Sequence, residues 1–296
     1  MKIRTLSDAE IKRELGIEFV VARNLSQFGG LQPFLKFLDK VRIRERLTAC
    51  CGTDKASALL QLMFGLVVGT NSMEGVAEVC KDPAFKSFIK RPLSATQLTR
   101  TFKKITAAEI SSLHELTTAL GIMEFAETSY RGLTVTLDID ATAVEKYGKQ
   151  EGVAAGYIAK DEIKPCYQYF SRAYEIYNGR ANIENNIREM KNDYGLGKIV
   201  TESFQVNDAI TQATLILYIL VGHFKRHCLD KDDQKMQLST VRRKFFHLPA
   251  RFMSSSRYEW SRICSAVLDK LKWSRIISRV LALRSILTIP LPLQTG

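Results

Sequence analysis

Leu133-Thr134-Val135-Thr136-Leu137-Asp138-Ile139-Asp140 alternates apolar and polar side chains with a period of two, the pattern of a strand with one covered face. It interrupts a chain that otherwise reads as helical, so it decides between an all-helical and a mixed fold. Period two also sets Asp138 and Asp140 on the same face of the strand. Burying two carboxylates side by side is costly unless a cation or hydrogen-bond donors hold them. The alternative is that the strand ends near Leu137 and both aspartates are solvated. Gly148 and Gly152 bracket a loop, and Val153 to Ile158 and Cys166 to Phe170 read as two more short strands.

Upstream, residues 1–130 read as helices. Ser7-x-x-Glu10, Ser94-x-x-Gln97 and Thr106-x-x-Glu109 are capping boxes ahead of apolar-periodic stretches. Asp54 to Val68 is apolar enough to stand at the centre of a bundle, and Asn71 is placed to cap the next helix, which stops near Pro83. The helix over 94–104 offers Thr96, Gln97, Arg100 and Lys103 on one side. That polar set suits a major groove; an exposed helix that touches nothing fits the same pattern. Downstream, Asn178-Gly179 makes a turn, a helix runs from about Arg180 to Asp193, and Gly195 and Gly197 end it. A further helix spans about Asn207 to Cys228. The remainder is basic and mostly helical, broken at Pro249.

Charge narrows the function classes. The 296 residues carry 43 Lys and Arg against 31 Asp and Glu, a net charge of +12, so an anionic macromolecule is the expected partner. Residues 131–224 hold 10 basic and 12 acidic side chains, whereas residues 225–284 hold 15 and 5. An acidic centre beside a basic flank is the layout of a carboxylate site with a phosphate clamp; ordinary surface scatter is the bland alternative. No run of eighteen apolar residues suggests a bilayer span, and the first residues show no signal-peptide core. The six cysteines, at 50, 51, 80, 166, 228 and 264, form no C-x-x-C pair, so a zinc ribbon or disulfide scaffold is not expected and cytosolic thiols are the default. His223-x3-His227 has zinc-compatible spacing without a further ligand pair, and reads as a helix end.

The second chemical element is Tyr177-x2-Arg180-x3-Glu184-x6-Lys191. At about 100° per residue, Arg180, Glu184 and Lys191 fall within roughly 40° on one helix face. Taken alone, Arg180 and Glu184 are also an ordinary i,i+4 salt-bridge pattern. The whole spacing, however, resembles the signature of one large branch of DDE-type bacterial insertion-sequence transposases. Leu137-Asp138-Ile139-Asp140-Ala141-Thr142, Tyr147-Gly148-Lys149-Gln150-Glu151-Gly152 and Gly156-Tyr157 are similar to that branch too. So are Gly29-Gly30-Leu31 and Leu248-Pro249-Ala250-Arg251.

The resemblance implies a ribonuclease-H-like core in which two aspartates and a glutamate hold two Mg2+ ions. The first Asp maps onto Asp140, in its Asp-x-Thr context, with Asp138 as the other choice. The Glu maps onto Glu184. Tyr177, Arg180 and Lys191 map onto positions that grip element-end DNA near the cleaved phosphate. Carboxylates are the hard oxygen ligands Mg2+ prefers, and a metal pair about 4 Å apart suits phosphodiester chemistry.

The chain departs from the family between these motifs. Only 44 residues separate Asp140 from Glu184, too few for the strand that bears the second Asp. The carboxylates in the interval are Glu145, Glu151, Asp161, Glu162 and Glu175, and none stands in the expected context. An internal deletion is inferred, with its junction near Gln168 to Arg172. The expected fold is mixed α/β and predominantly helical: a ribonuclease-H-like core of about three strands at 131–224, between a helical DNA-binding region at 1–130 and a basic helical region at 225–296. The expected function is transposition of an insertion sequence, degenerate for want of the second Asp. The alternatives are a non-catalytic protein of element ends and a ribonuclease-H-like nuclease. Double-stranded DNA is the expected partner, with homo-oligomerisation on DNA, no membrane and a cytoplasmic location.

Overall fold

The computed structural model describes residues 24–127, 135–145, 154–159, 162–176, 180–199, 201–255, 259–263 and 270–283; Ser7 and Glu10, the Asn178-Gly179 turn and the C-terminal tail lie outside them. The fold is mixed and predominantly helical, as expected. Helices α1 (Gln32–Lys40), α2 (Ile43–Cys51), α3 (Thr53–Val68), α4 (Met73–Val79), α5 (Ala95–Phe102) and α6 (Ala107–Glu127) fill the N-terminal part. Strands β2 (Val135–Glu145), β3 (Ala154–Ala159) and β4 (Glu162–Ile176) follow, then α7 (Arg180–Asp193) and α8 (Phe204–Cys228). A short α9 (Leu238–Val241), β5 (Ala250–Ser254), β6 (Glu259–Ile263) and α10 (Lys270–Ala282) complete the described residues, and β1 (Leu25–Ser26) stands before α1.

Local chemistry explains the helix ends. α3 is bounded by Gly52 (φ 77°) and Gly69 (φ 102°), the left-handed positions that glycine occupies without a Cβ penalty. Both capping boxes inside the described residues form. The Gln97 N–H donates to Ser94 Oγ while Ser94 N–H donates to Gln97 Oε1; Thr106 and Glu109 exchange the same pair of bonds. The cap of α4 differs from the sequence expectation by one residue: Ser72, extended at φ −141°, accepts from the Gly75 N–H, and not Asn71.

The core is one continuous apolar cluster. α3 is buried along nearly its whole length, from Ala56 to Val68, with α2, α4 and α8 packed on it. Phe34 and Phe37 of α1 meet Phe224 of α8 edge-on at 5.2 and 5.6 Å, and Phe246 stands 5.6 Å from Phe34. Helices from both ends of the chain thus share this core: α8 lies along α6, and α10 lies against α1 and α8. Among the described residues α8 alone is long and apolar enough by composition to cross a bilayer, and 61% of its apolar window is buried inside the protein.

Among the described residues the strands form two small sheets. β2, β4 and β3 form an antiparallel sheet in that order, so the third strand of the segment lies in the middle. The strand does not stop at Leu137; β2 continues to Glu145, paired with β4 throughout. The second sheet, β1-β5-β6, lies where the sequence suggested only helix and a break at Pro249. It joins two motifs more than two hundred residues apart. Ser26 pairs with Ala250, and the Gly29 N–H donates to the Leu248 carbonyl at 2.8 Å. A Cβ on Gly29 would lie 2.2 Å from Ala250 Cβ, and one on Gly30 would lie 1.8 Å from the Phe245 carbonyl oxygen. The Gly-Gly-Leu and Leu-Pro-Ala-Arg segments are two halves of one contact.

Candidate active site

α7 carries the signature. Its boundaries, Arg180 and Asp193, match the sequence reading. The helix ends where Gly195 turns left-handed at φ 69°, and the Leu196 and Tyr194 N–H groups donate back to the Met190 carbonyl. This end is anchored. Met190 and Tyr194 are buried, and Tyr194 meets Tyr218 of α8 edge-on at 5.2 Å. The buried Arg242 donates through Nε to the Val67 carbonyl and through a terminal nitrogen to the Leu66 carbonyl, both at 2.7 Å. The same guanidinium bonds the Asp193 carbonyl. One side chain therefore bonds carbonyls at the ends of both α3 and α7. In return α7 caps α9: Leu238 N–H donates to Glu189 Oε1 and Ser239 N–H to Asp193 Oδ2, each at 2.9 Å.

The remaining signature positions follow from this anchoring. Arg180 and Glu184 stand in the first turns of α7, and Lys191 stands in the last. Lys191 is half-buried, and burial lowers the pKa of its ammonium below the ordinary value. On the helical wheel Lys191 borders the direction of Met190 and Tyr194, at the edge of the buried face. Tyr177 lies outside the described residues, as do the side chains of Arg180 and Glu184.

Strand register places the aspartates. Asp138 stands opposite Ala173 and Asp140 opposite Ser171. Ile176, the last residue of β4 before α7 in the sequence, stands opposite Val135. At about 3.3 Å per residue, Asp138 is roughly 10 Å and Asp140 roughly 16 Å along the strand from that end. Glu175 stands opposite Thr136. Partners across an antiparallel pair share a face, so Glu175 belongs to the face that carries Asp138 and Asp140, diagonal to Asp138. Sequence reading missed this, because Glu175 lacks the family's context; only the register of β4 brings it there. The side chains of these strand residues lie outside those described. Among the described residues no group of three His, Cys, Asp or Glu is placed to hold a metal.

The other sequence candidates resolve into packing. His223 and His227 stack at 5.9 Å on α8. Cys50, Cys51, Cys80 and Cys228 are buried free thiols. Burial raises Cys50 to about 11 and the other three to about 12, which leaves them protonated and poorly nucleophilic.

The basic C-terminal run is also partly internal. Asp233, buried at 1% exposure, takes Lys244 at 2.7 Å and Lys272 on its other oxygen. Burial alone would raise its pKa, but the two lysine hydrogen bonds outweigh that and hold the carboxyl below the usual range. Asp230 pairs with Arg279 at 2.8 Å. Lys272 and Arg279 thus brace α10 against the loop after α8, and Lys244 ties the turn after α9 to the same loop.

Comparison with known proteins bears on the same region. Residues 168–285 match a family model described as transposase DDE domain group 1, about two-fifths of the chain. That segment begins within β4 and takes in α7, α8 and the β5–β6 hairpin. The match supports a DDE-type insertion-sequence transposase, and with it a transposase function. No curated protein and no solved structure matches the chain.

Proposed function

We propose that the chain is a degenerate insertion-sequence transposase of the branch with the Tyr-x2-Arg-x3-Glu-x6-Lys signature, which grips double-stranded DNA at element ends without completing cleavage. The observation that carries this is the transposase-domain match over residues 168–285, which includes the whole of α7. In this reading residues 131–224 are a shortened ribonuclease-H-like core, residues 1–130 a DNA-binding region and residues 225–296 a basic helical region. The chain works in the cytoplasm, as a homo-oligomer on DNA.

Asp140 or Asp138 on β2 and Glu184 on α7 would hold Mg2+, and their hard carboxylate oxygens suit that ion. Bound there, Mg2+ would polarise a phosphoryl oxygen and lower the pKa of an attacking water. Tyr177, Arg180 and Lys191 would fix the phosphate backbone beside it. The register adds Glu175 to the face that carries Asp138 and Asp140. The match begins at Gln168, at the inferred deletion junction and inside the unbroken strand β4, which supports loss of the segment bearing the second Asp. Such a loss leaves too few ligands for a metal pair, and favours a protein that occupies element ends without cutting them.

The test is incubation of the full chain with element-end duplex and Mg2+ or Mn2+. Retention of the duplex without nicking is expected. Robust cutting that disappears in Asp140→Ala overturns the degenerate reading.

A further inference from the structure

Between Asp82 and Glu109 the chain carries Lys86, Lys90, Arg91, Arg100, Lys103 and Lys104 and no carboxylate. All six are exposed. The cations on either side are neutralised, Lys81 by Glu78 at 2.6 Å and Lys55 by Glu109 at 2.7 Å, whereas none of the six makes an ion pair among the described residues. Three of them, Arg91, Arg100 and Lys104, line a groove of about 500 Å³ between α3 and α5, with Asp54 as the carboxylate on its wall. If α5 is extended at about 100° per residue, Thr96, Gln97, Arg100, Lys103 and Lys104 fall within roughly 120° of one another.

The frame under these cations is rigid. The buried Gln61 side chain clamps the Leu93 backbone with two hydrogen bonds, Nε2 to the carbonyl and Oε1 from the N–H, each 2.7 Å. Arg44 bonds the Phe88 carbonyl and lies over the Phe88 ring at 5.9 Å. The Ser94–Gln97 capping box fixes the start of α5. A ligand meeting this face need not order its loop first, so little binding energy is lost to conformational entropy.

We propose that the 86–91 segment and α5 form a docking face for double-stranded DNA, distinct from α7, which reads the phosphate backbone and not the bases. It rests on the reading above that DNA is the partner. A small anion would use only the three cations of the groove. Six unpaired cations spread over a loop and a helix instead match a polyanion with regularly spaced phosphates.

The test measures binding of the full chain to a duplex of about 30 base pairs and arbitrary sequence, over a salt series. Each lost phosphate contact should lower the slope of log affinity against log salt by about 0.9. R100Q/K103Q/K104Q should therefore flatten the slope by about 3, and K90Q/R91Q by about 2. The loop variant keeps the test open should the helix variant misfold, and K36Q, on an exposed lysine already paired with Asp39, should leave the slope unchanged. Wild-type binding with an unaltered slope in both basic-face variants overturns this face while leaving the transposase reading intact. Failure of the wild type to bind any duplex overturns both. Loss of binding to phosphatidylserine vesicles in these variants, with duplex binding unaffected, also overturns the proposal and assigns the face to a membrane.

Discussion

Gly30 sits where a methyl group has no room. Its would-be Cβ lies 1.8 Å from the Phe245 carbonyl oxygen, and that oxygen belongs to backbone that cannot swing aside. Gly30→Ala should cost about 3 kcal/mol or more through overpacking, read as a lowered thermal midpoint; an unchanged midpoint would mean the two segments do not touch. Asp233 is the other telling residue. Because its carboxyl titrates below the ordinary 3.8 when folded, its stabilisation is complete above that value and is lost as pH falls through the lower folded value. Asp233→Asn should cost about 2 kcal/mol at neutral pH, since it takes away the charge that accepts from the partly exposed Lys244 and Lys272. The gap to wild type should narrow on acidification below about pH 4, measured by urea unfolding at a series of pH values. The sequence displayed Gly29-Gly30 and Leu248 to Arg251 as separate motifs. Nothing in either string says that they meet, because a close backbone approach is a tertiary fact. Asp233 likewise sits among charges whose pairing depends on where α10 returns.

At the scale of elements, periodicity and caps carried far. α7 was legible to the residue, since Gly195 and Gly197 follow a polar amphipathic run, and α3 was legible from its unbroken apolar character. The β5–β6 hairpin was not. Arg251-Phe252-Met253-Ser254 has no alternation and lies in a basic stretch, and its strand character comes from pairing with β1 and β6. Glu175 was visible as a carboxylate, yet its face depends on the register of β4, which no local pattern sets. Arg242 shows the same limit: within Arg242-Arg243-Lys244 the sequence cannot say which cation turns inward. The structure gives it the carbonyl ends of α3 and α7, so Arg242→Met should free those carbonyls without leaving a large cavity. We expect a loss of about 3 kcal/mol and faster amide exchange in the last turn of α7 than in α6. Equal exchange in this turn for the wild type and Arg242→Met would remove Arg242 from the anchoring of the signature helix.

For the molecule as a whole, the charge asymmetry divides into two kinds. Part of the C-terminal surplus is internal bracing by Lys244, Lys272 and Arg279 on Asp233 and Asp230. Among the described residues the exposed face around α5 carries its six cations without such partners. A clamp for phosphates is therefore better supported at the N-terminal helices than the net charge of residues 225–284 suggested. The carboxylate chemistry stands on a different footing, since it requires β2 and α7 to serve a common ion. Calorimetric titration of Mn2+ into the full chain tests this most directly, with Asp138→Asn, Asp140→Asn, Glu184→Gln and the strand–helix double variants alongside. One ion bound by the wild type should be weakened at least about tenfold by Glu184→Gln and by one of the strand variants, and the corresponding double variant should lose little more, because partners on one ion are not additive. Mn2+ affinity that is indifferent to Glu184→Gln, or independent losses that simply add, would place strand and helix carboxylates in separate sites and contradict the proposed centre.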